Sequence, residues 1–345
     1  MRDGWRIGTL AACLLMVTPV AGCAKPIGGQ AVADPDATRT RSSSAPSSSS
    51  APAGEEGSAQ AVLGDLTTVD PCSLTDPSEF SSFGASKLAP PDSLDECLVE
   101  IKTSAKEPLS VYIGALDRGA AYPELRGKPT KEISGGLKVV DYDVETSFCN
   151  ELLVFSDDIT LSVNAYPFEG DEPKLCDIVK AGMDKVVDVV RSGKIKHREY
   201  PANSFGRLDP CAVAPTGVAA AVPGLGSVPP KTYPGKHNCL WANSDSVNGA
   251  RLRLMFSAST PPVAQGTATA STIAGRQTVT SPGVNTGPNV YCFVEAAHIP
   301  FEAAGQSGLV EKAYVSVRLP KAQADQACKA ATAVANAVWP KLPSP

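Results

Sequence analysis

The sequence predicts an α+β fold built twice: two similar domains, each an antiparallel sheet with a short opening helix and a closing C-terminal helix, each stapled by two disulfides. Three observations carry this reading. One pattern occurs twice, as TTVDPCSL, DECLVEI, TSFCNELLVF and PKLCDIVKAGMDKVVDVV and again as GRLDPCAV, HNCLWAN, NVYCFVEAAHI and DQACKAATAVANAV. The two Asp-Pro-Cys motifs lie 139 residues apart, a domain length rather than a solenoid period. The four cysteines of each copy are spaced alike, by 25, 52 and 27 residues in the first and by 28, 53 and 36 in the second. Between them apolar residues first alternate, the period of a half-buried strand, and then recur every three or four residues, the period of a helix face.

The N-terminus is read first, because it is not part of that fold. Arg2 and Arg6 precede the apolar residues 7–20 (IGTLAACLLMVTPV), the basic and apolar regions of an export signal. The run is too short to span a bilayer, which needs about 20 apolar residues. The tetrapeptide Val20-Ala21-Gly22-Cys23 resembles the lipobox of bacterial lipoproteins. That resemblance implies a signal peptide over 1–22, cleavage before Cys23, and diacylglycerol and palmitate-type acylation of Cys23, with the chain held at the cell membrane on its extracytoplasmic face. Two or three acyl chains, at about 0.8 kcal/mol per buried methylene, make detachment slow. Residues 23–66 include TRTRSSSAPSSSSAPAGEEGSAQ, too poor in large apolar side chains to offset the entropy of ordering. They are expected to form a disordered stalk with a reach of roughly 35–40 Å.

The remaining elements follow in order, in a first domain at 67–192, an inter-domain linker at 193–206 and a second domain at 207–345. Asp70 and Asp209 each precede a proline that can take the first helical position, where its missing amide hydrogen costs nothing, so both read as N-caps. Asp76, Pro77 and Glu79 repeat the arrangement with capping-box spacing, and Ala214-Pro215 of the second copy loses it. The segment LSVYIGAL puts Leu109, Val111, Ile113 and Ala115 on one strand face, and RLRLMFSA does so with Leu252, Leu254, Phe256 and Ala258. A later strand alternates Ile159, Leu161, Val163 and Ala165, matched by Ala313, Val315, Val317 and Leu319. The closing helices gather Ile178, Val179, Met183, Val186, Val187 and Val190 in one copy, and Cys328, Ala331, Val334, Ala335 and Val338 in the other.

Of ten cysteines, Cys13 leaves with the signal and Cys23 is lipidated, so eight remain. An even number per exported domain points to disulfides. Zinc is disfavoured, since no C-x2-C pair is present. Each quartet allows three pairings, and sequence ranks them without closing the choice. A hairpin between the strands at 149 and 159–166 returns the chain to the Cys149 end as the helix bearing Cys176 begins, and the same holds for Cys292 and Cys328. The favoured set is Cys72–Cys97, Cys149–Cys176, Cys211–Cys239 and Cys292–Cys328, each contributing about 3–4 kcal/mol through loop-closure entropy.

Little in the sequence points to catalysis. His197, His237 and His298 have no counterparts in the other copy. H-E-x-x-H is absent, GQSGLV at 305–310 lacks the G-x-S-x-G register, and prolines follow the glycines of GLGSVPP at 224–230 where a phosphate loop needs a helix start. The pairs Asp141/Asp143 and Asp157/Asp158 lack calcium-loop spacing and read as solvated turns. Trp241, two residues after Cys239, reads as core. Lys194, Lys196, His197 and Arg198 form the one basic cluster and read as a solvated linker. The formal net charge is −5, and loss of the signal makes it one unit more negative, which excludes nucleic acid as the expected partner. No catalytic residue, cofactor or metal site is expected.

The lipobox, the segment GGQAVADPD after Cys23 and the two Asp-Pro-Cys quartets resemble mycobacterial and related actinobacterial lipoproteins of an uncharacterised family, whose secreted domain opens with Asp-Pro-Cys and carries a Cys-x-Trp strand. CLW at 239–241 fits that feature; CLV at 97–99 departs from it. The resemblance implies a cell-envelope location and supplies no reaction. The expected function is a non-enzymatic binding or scaffolding lipoprotein engaging an envelope protein, wall component or lipid. The alternatives are an envelope-polymer-modifying enzyme, which predicts carboxylates or a shifted histidine converging in one cleft, and a lipid carrier.

Overall fold

Among the described residues each copy forms seven strands, the central ones with apolar alternation. In the first these are β1 (Ala85–Ala89), β2 (Cys97–Lys102), β3 (Leu109–Arg118), β4 (Thr130–Glu132), β5 (Lys138–Val144), β6 (Cys149–Val154) and β7 (Ile159–Tyr166). In the second they are β8 (Lys231–Thr232), β9 (Asn238–Ala242), β10 (Arg251–Ser259), β11 (Thr269–Ile273), β12 (Arg276–Pro282), β13 (Asn289–Ala303) and β14 (Gln306–Pro320). The helices are α1 (Ala59–Leu63), α2 (Leu175–Ser192), α3 (Pro210–Val213) and α4 (Ala324–Val338). The computed structural model describes residues 56–345 apart from 104–106, 120–126, 129, 134, 145–146, 168–171, 173, 244–248 and 284–286, with only the backbone of 142–144. The signal, Cys23 and most of the stalk lie outside the described residues.

Every strand pairing is antiparallel, and the sheet orders are β1-β2-β3-β7-β6-β5-β4 and β8-β9-β10-β14-β13-β12-β11. Position by position these are the same topology, so the repeat seen in the sequence is a repeat of fold. The apolar stripe of α2 (Ile178, Val179, Met183 and Val186) packs on β6 and β7, and that of α4 (Ala331, Val334, Ala335 and Val338) packs on β13 and β14. Each sheet is thus covered by its helix on one face only. Burial of the large apolar side chains in those stripes contributes roughly 1.5–3 kcal/mol each.

The bridges are Cys72–Cys97, Cys149–Cys176, Cys211–Cys239 and Cys292–Cys328, the set that the hairpin geometry ranks first. They also fix the equivalence of the copies. Cys97 lies opposite Ile113 and Cys239 opposite Leu254, while Cys149 lies opposite Ala165 and Cys292 opposite Val317. Ile113 therefore corresponds to Leu254, and Ala165 to Val317. Asp70 and Asp209 accept the amide hydrogens of Cys72 and Cys211 at 3.2 and 2.8 Å, with Pro71 and Pro210 in the first helical turn. Trp241 is buried in the second core.

Several expectations are corrected. Folded structure begins before residue 67: Ser58 caps α1, and Ala59 and Leu63 are buried in the first core. These few apolar residues at the end of a Ser/Ala-rich run suffice because a finished sheet waits to receive them. Residues 193–206 are not a free linker. The Asp70 amide donates to the Lys196 carbonyl at 2.9 Å, the Arg198 amide to the Thr68 carbonyl at 2.7 Å, and Val69 bridges to His197. Alternation in β3 breaks at Gly114 (φ +112°), where the register shifts between Ile113 and Leu116. Leu116 takes the core position and Ala115 does not. Glu79 pairs with Lys185 at 2.6 Å instead of closing a capping box on Asp76. Asp141 and Asp143 lie within β5 rather than in a turn.

The copies are joined by the segment 90–96 that leads into β2. Leu94, from the first copy, is 1% exposed within the core of the second, and its amide donates to the Phe256 carbonyl at 3.1 Å. Its neighbour Asp95 meets His237 Nδ1 at 2.7 Å, and Lys231 reaches Asp117 at 2.6 Å.

Candidate functional site

The faces left bare by α2 and α4 meet across the segment 90–96. One cavity, of about 340 Å³, has Tyr112, Asn164 and Tyr166 of the first sheet on one side and Tyr233, Arg253 and Met255 of the second on the other. A second, of about 320 Å³, continues over the bare face of the second sheet. The two share Asp92, Arg253 and Met255 as walls, so they form one groove.

The walls follow from strand parity. On β3 and β7 the residues between the core positions point into the groove, bringing Tyr112 and Tyr166 together. Their rings stack at 5.4 Å with 14° between planes, the Tyr166 hydroxyl donates to the Tyr112 hydroxyl at 3.0 Å, and the Tyr112 hydroxyl donates to Asp92 at 3.4 Å. Burial and the Tyr166 contact raise the Tyr112 pKa well above that of a free phenol. On β10, β13 and β14 the same parity presents Arg251, Arg253, Tyr291, Glu295, Tyr314 and Arg318. By the cysteine equivalence, Arg253 and Arg318 stand where the first copy has Tyr112 and Tyr166. The repeat preserves the core and exchanges the chemistry of its bare face.

Glu96 also lines the groove. Burial pushes its carboxyl up to about 7, Arg253 pulls it down, and Asp92 and Asp95 push it further up. Three carboxylates therefore gather on one short segment. Asp95 is engaged by His237, which is 2% exposed and bonded through its second nitrogen to the Gly206 carbonyl at 3.0 Å. Burial alone would lower the imidazole pKa, but Asp95 and the Gly206 carbonyl outweigh it and raise the net value, with Arg198 opposing.

The other sequence-predicted residues make local structural contacts or stay exposed, as Lys194 and Lys196 do. His197 meets the Thr68 hydroxyl at 2.9 Å. His298 stacks on Phe205 at 4.0 Å and reaches the Asn203 carbonyl at 2.7 Å. Arg198 of the basic cluster donates to Asp70 at 2.7 Å and lies over the Phe301 ring, so it is a packed residue and not a solvated one. Asp157 accepts the Ala59 amide at 3.1 Å from an exposed turn that also holds Asp158. Among the described residues no group of three or more metal-ligating side chains converges, and no helix is long and apolar enough to cross a membrane. The groove residues Asp92, Glu96, Tyr112, Tyr166, Arg251, Arg253 and Arg318 escaped sequence reasoning. The signal was present in RLRL, whose arginines alternate with core leucines.

No protein-family model matches the chain, and no curated protein is similar to it. The solved structures include one likeness, to the crystal structure of DynU16 from the dynemicin biosynthetic locus, at 13% identity over 79% of this chain and 96% of that one, with a TM-score of 0.14. At that score the likeness has no weight for fold or function. The four disulfides fit an oxidising, extracytoplasmic compartment.

Proposed function

We propose that the chain is a lipid-anchored binding protein of the cell envelope, tethered through Cys23 on the extracytoplasmic face and presenting the groove between its two sheets to an envelope ligand without transforming it. The observation that carries this reading is the groove itself, with stacked tyrosines on one wall, arginines on the other, and a floor fixed by Leu94 and Asp95. A preorganised concave site with a few convergent polar groups is what recognition requires. The stalk gives that site reach from the membrane, and the resemblance to actinobacterial lipoproteins agrees with such a location. The lipid-carrier alternative has less support, because the groove is lined by polar and aromatic groups rather than acyl-sized apolar walls.

Two experiments test the proposal. Metabolic labelling with palmitate is expected to mark the wild-type chain and to miss Cys23→Ser; equal labelling of both would remove the anchor from the account. A photo-crosslinking side chain introduced at Asn164, in the groove, is expected to capture an envelope ligand in living cells, while the same group at the exposed Val263 does not. Adducts at Val263 alone would refute the groove as the binding site.

A second reading has one specific observation behind it. Glu96, pushed up to about 7 beside Asp92, has the protonation behaviour of a general acid for hydrolysis of an envelope polymer. Turnover of isolated wall polymers, abolished in Glu96→Gln and falling as pH rises through 7, would favour the enzyme over the binding protein.

A further inference from the structure

The arginine wall sets like charges side by side on neighbouring strands. Arg251 of β10 and Arg318 of β14 lie directly opposite one another on neighbouring strands, the placement in which like charges repel. Arg253 follows on the same face of β10. Arg318 is buried, and its Nε donates to the Gly249 carbonyl at 3.1 Å. Arg251 is left differently: its Nε is buried with no hydrogen-bond partner. Burial, then the charges of Arg318 and Arg253, hold its pKa below the ordinary guanidinium value. Among the described residues no salt bridge engages Arg251 or Arg253; Glu295, a carboxylate of β13, is taken by Lys312 at 2.5 Å, while Arg253 faces Glu96 and Asp92 of the segment 90–96 without an ion pair to either. The first copy folds in the same topology with Ser110, Tyr112 and Tyr166 at the equivalent positions, so the fold itself does not require these three arginines.

We propose that Arg251, Arg253 and Arg318 form an anion site for the phosphate or phosphodiester group of a ligand held in the groove, an inference that rests on the groove being the binding site. Planar guanidinium forks match phosphate oxygens in bidentate fashion. A partly desolvated cavity strengthens each such contact relative to water. A bound phosphate supplies an acceptor for the unpartnered Arg251 Nε and places negative charge beside the guanidiniums of Arg251 and Arg253. Tyr291 and Tyr314, each stacked on Phe293, line the same cavity. The phosphate belongs to either an anionic lipid headgroup or a soluble phosphoester, and the chemistry at the arginines is common to both.

The test uses the full mature chain with Cys23→Ser, so that no acyl anchor inserts, and the same chain carrying R251Q and R253Q. One arm follows the melting temperature against inorganic phosphate at constant ionic strength. The other measures co-sedimentation with vesicles of phosphatidylglycerol in phosphatidylcholine and with phosphatidylcholine alone. The expected result is binding in at least one arm, weakened tenfold or more in the double variant; phosphate alone assigns the site to a soluble phosphoester, and anionic vesicles alone to a headgroup. No binding in either arm, or binding that the double variant leaves unchanged, overturns the proposal. Without anion the double variant is expected to melt at the same temperature or higher, because a repulsion is removed, and a lower melting temperature shows instead that the guanidiniums are structural and overturns it too. Crosslinking at Asn164 separates the two claims: a persisting adduct with both anion arms silent removes the anion site and leaves the groove reading standing.

Discussion

His237 and Asp95 show how a residue without a counterpart in the other copy can be structural rather than catalytic. The imidazole is buried between the copies, with Asp95 on one nitrogen, the Gly206 carbonyl on the other, Tyr200 edge-on, and Arg198 and Glu311 acting at longer range. Because its folded pKa is raised above the unfolded value, the stability it contributes is complete below about pH 6.5 and is lost as pH rises through the folded value. Asp95→Asn leaves a buried imidazole without its charged partner and is expected to cost about 3–5 kcal/mol below pH 6. Thermal melts at pH 5.5 and 8.5 check this: the variant should flatten the difference that the wild type shows, and an unchanged difference would place the titration elsewhere. None of this was legible in the sequence, which sets His237 and Asp95 142 residues apart with no motif to link them.

Among the elements, those with a strict period were legible and those with an interruption were not. The alternating strands at 159–166 and 313–319 and both closing helices stand out because their apolar sets match periods of two and 3.6. Strand β3 misled after Ile113, because a glycine carries no side chain to reveal a bulge. A Cβ at Gly114 would lie 2.8 Å from Pro71 Cβ, and its φ of +112° disfavours any side chain. Gly114→Ala is therefore expected to cost at least about 1–2 kcal/mol, read as a lower midpoint in urea unfolding. The bridge Cys149–Cys176 ties the β6–β7 hairpin to α2. Replacing both cysteines by alanine is expected to cost about 3–4 kcal/mol from loop closure, whereas a loss near zero would mean that the hairpin and helix hold each other without it. Helix α1 was missed for a related reason, since five residues of weak periodicity gain their stability from tertiary packing.

For the whole molecule, the groove exists only because two copies of one fold are locked at a fixed angle, and that lock is the least legible feature. Sequence showed the repeat and its polar strand faces, but a polar face reads as solvent-exposed until a second sheet is placed against it. The segment 90–96 does the placing, with Leu94 buried in the core of the other copy. Leu94→Ala is expected to cost about 2–5 kcal/mol and to loosen the second copy although the residue belongs to the first. Differential scanning calorimetry of the oxidised chain tests this account most directly. One cooperative transition with equal calorimetric and van't Hoff enthalpies is predicted, splitting in two when Leu94→Ala and Asp95→Asn are combined; two independent transitions in the wild type, unmoved by those substitutions, would show that the copies fold apart and that no fixed groove lies between them.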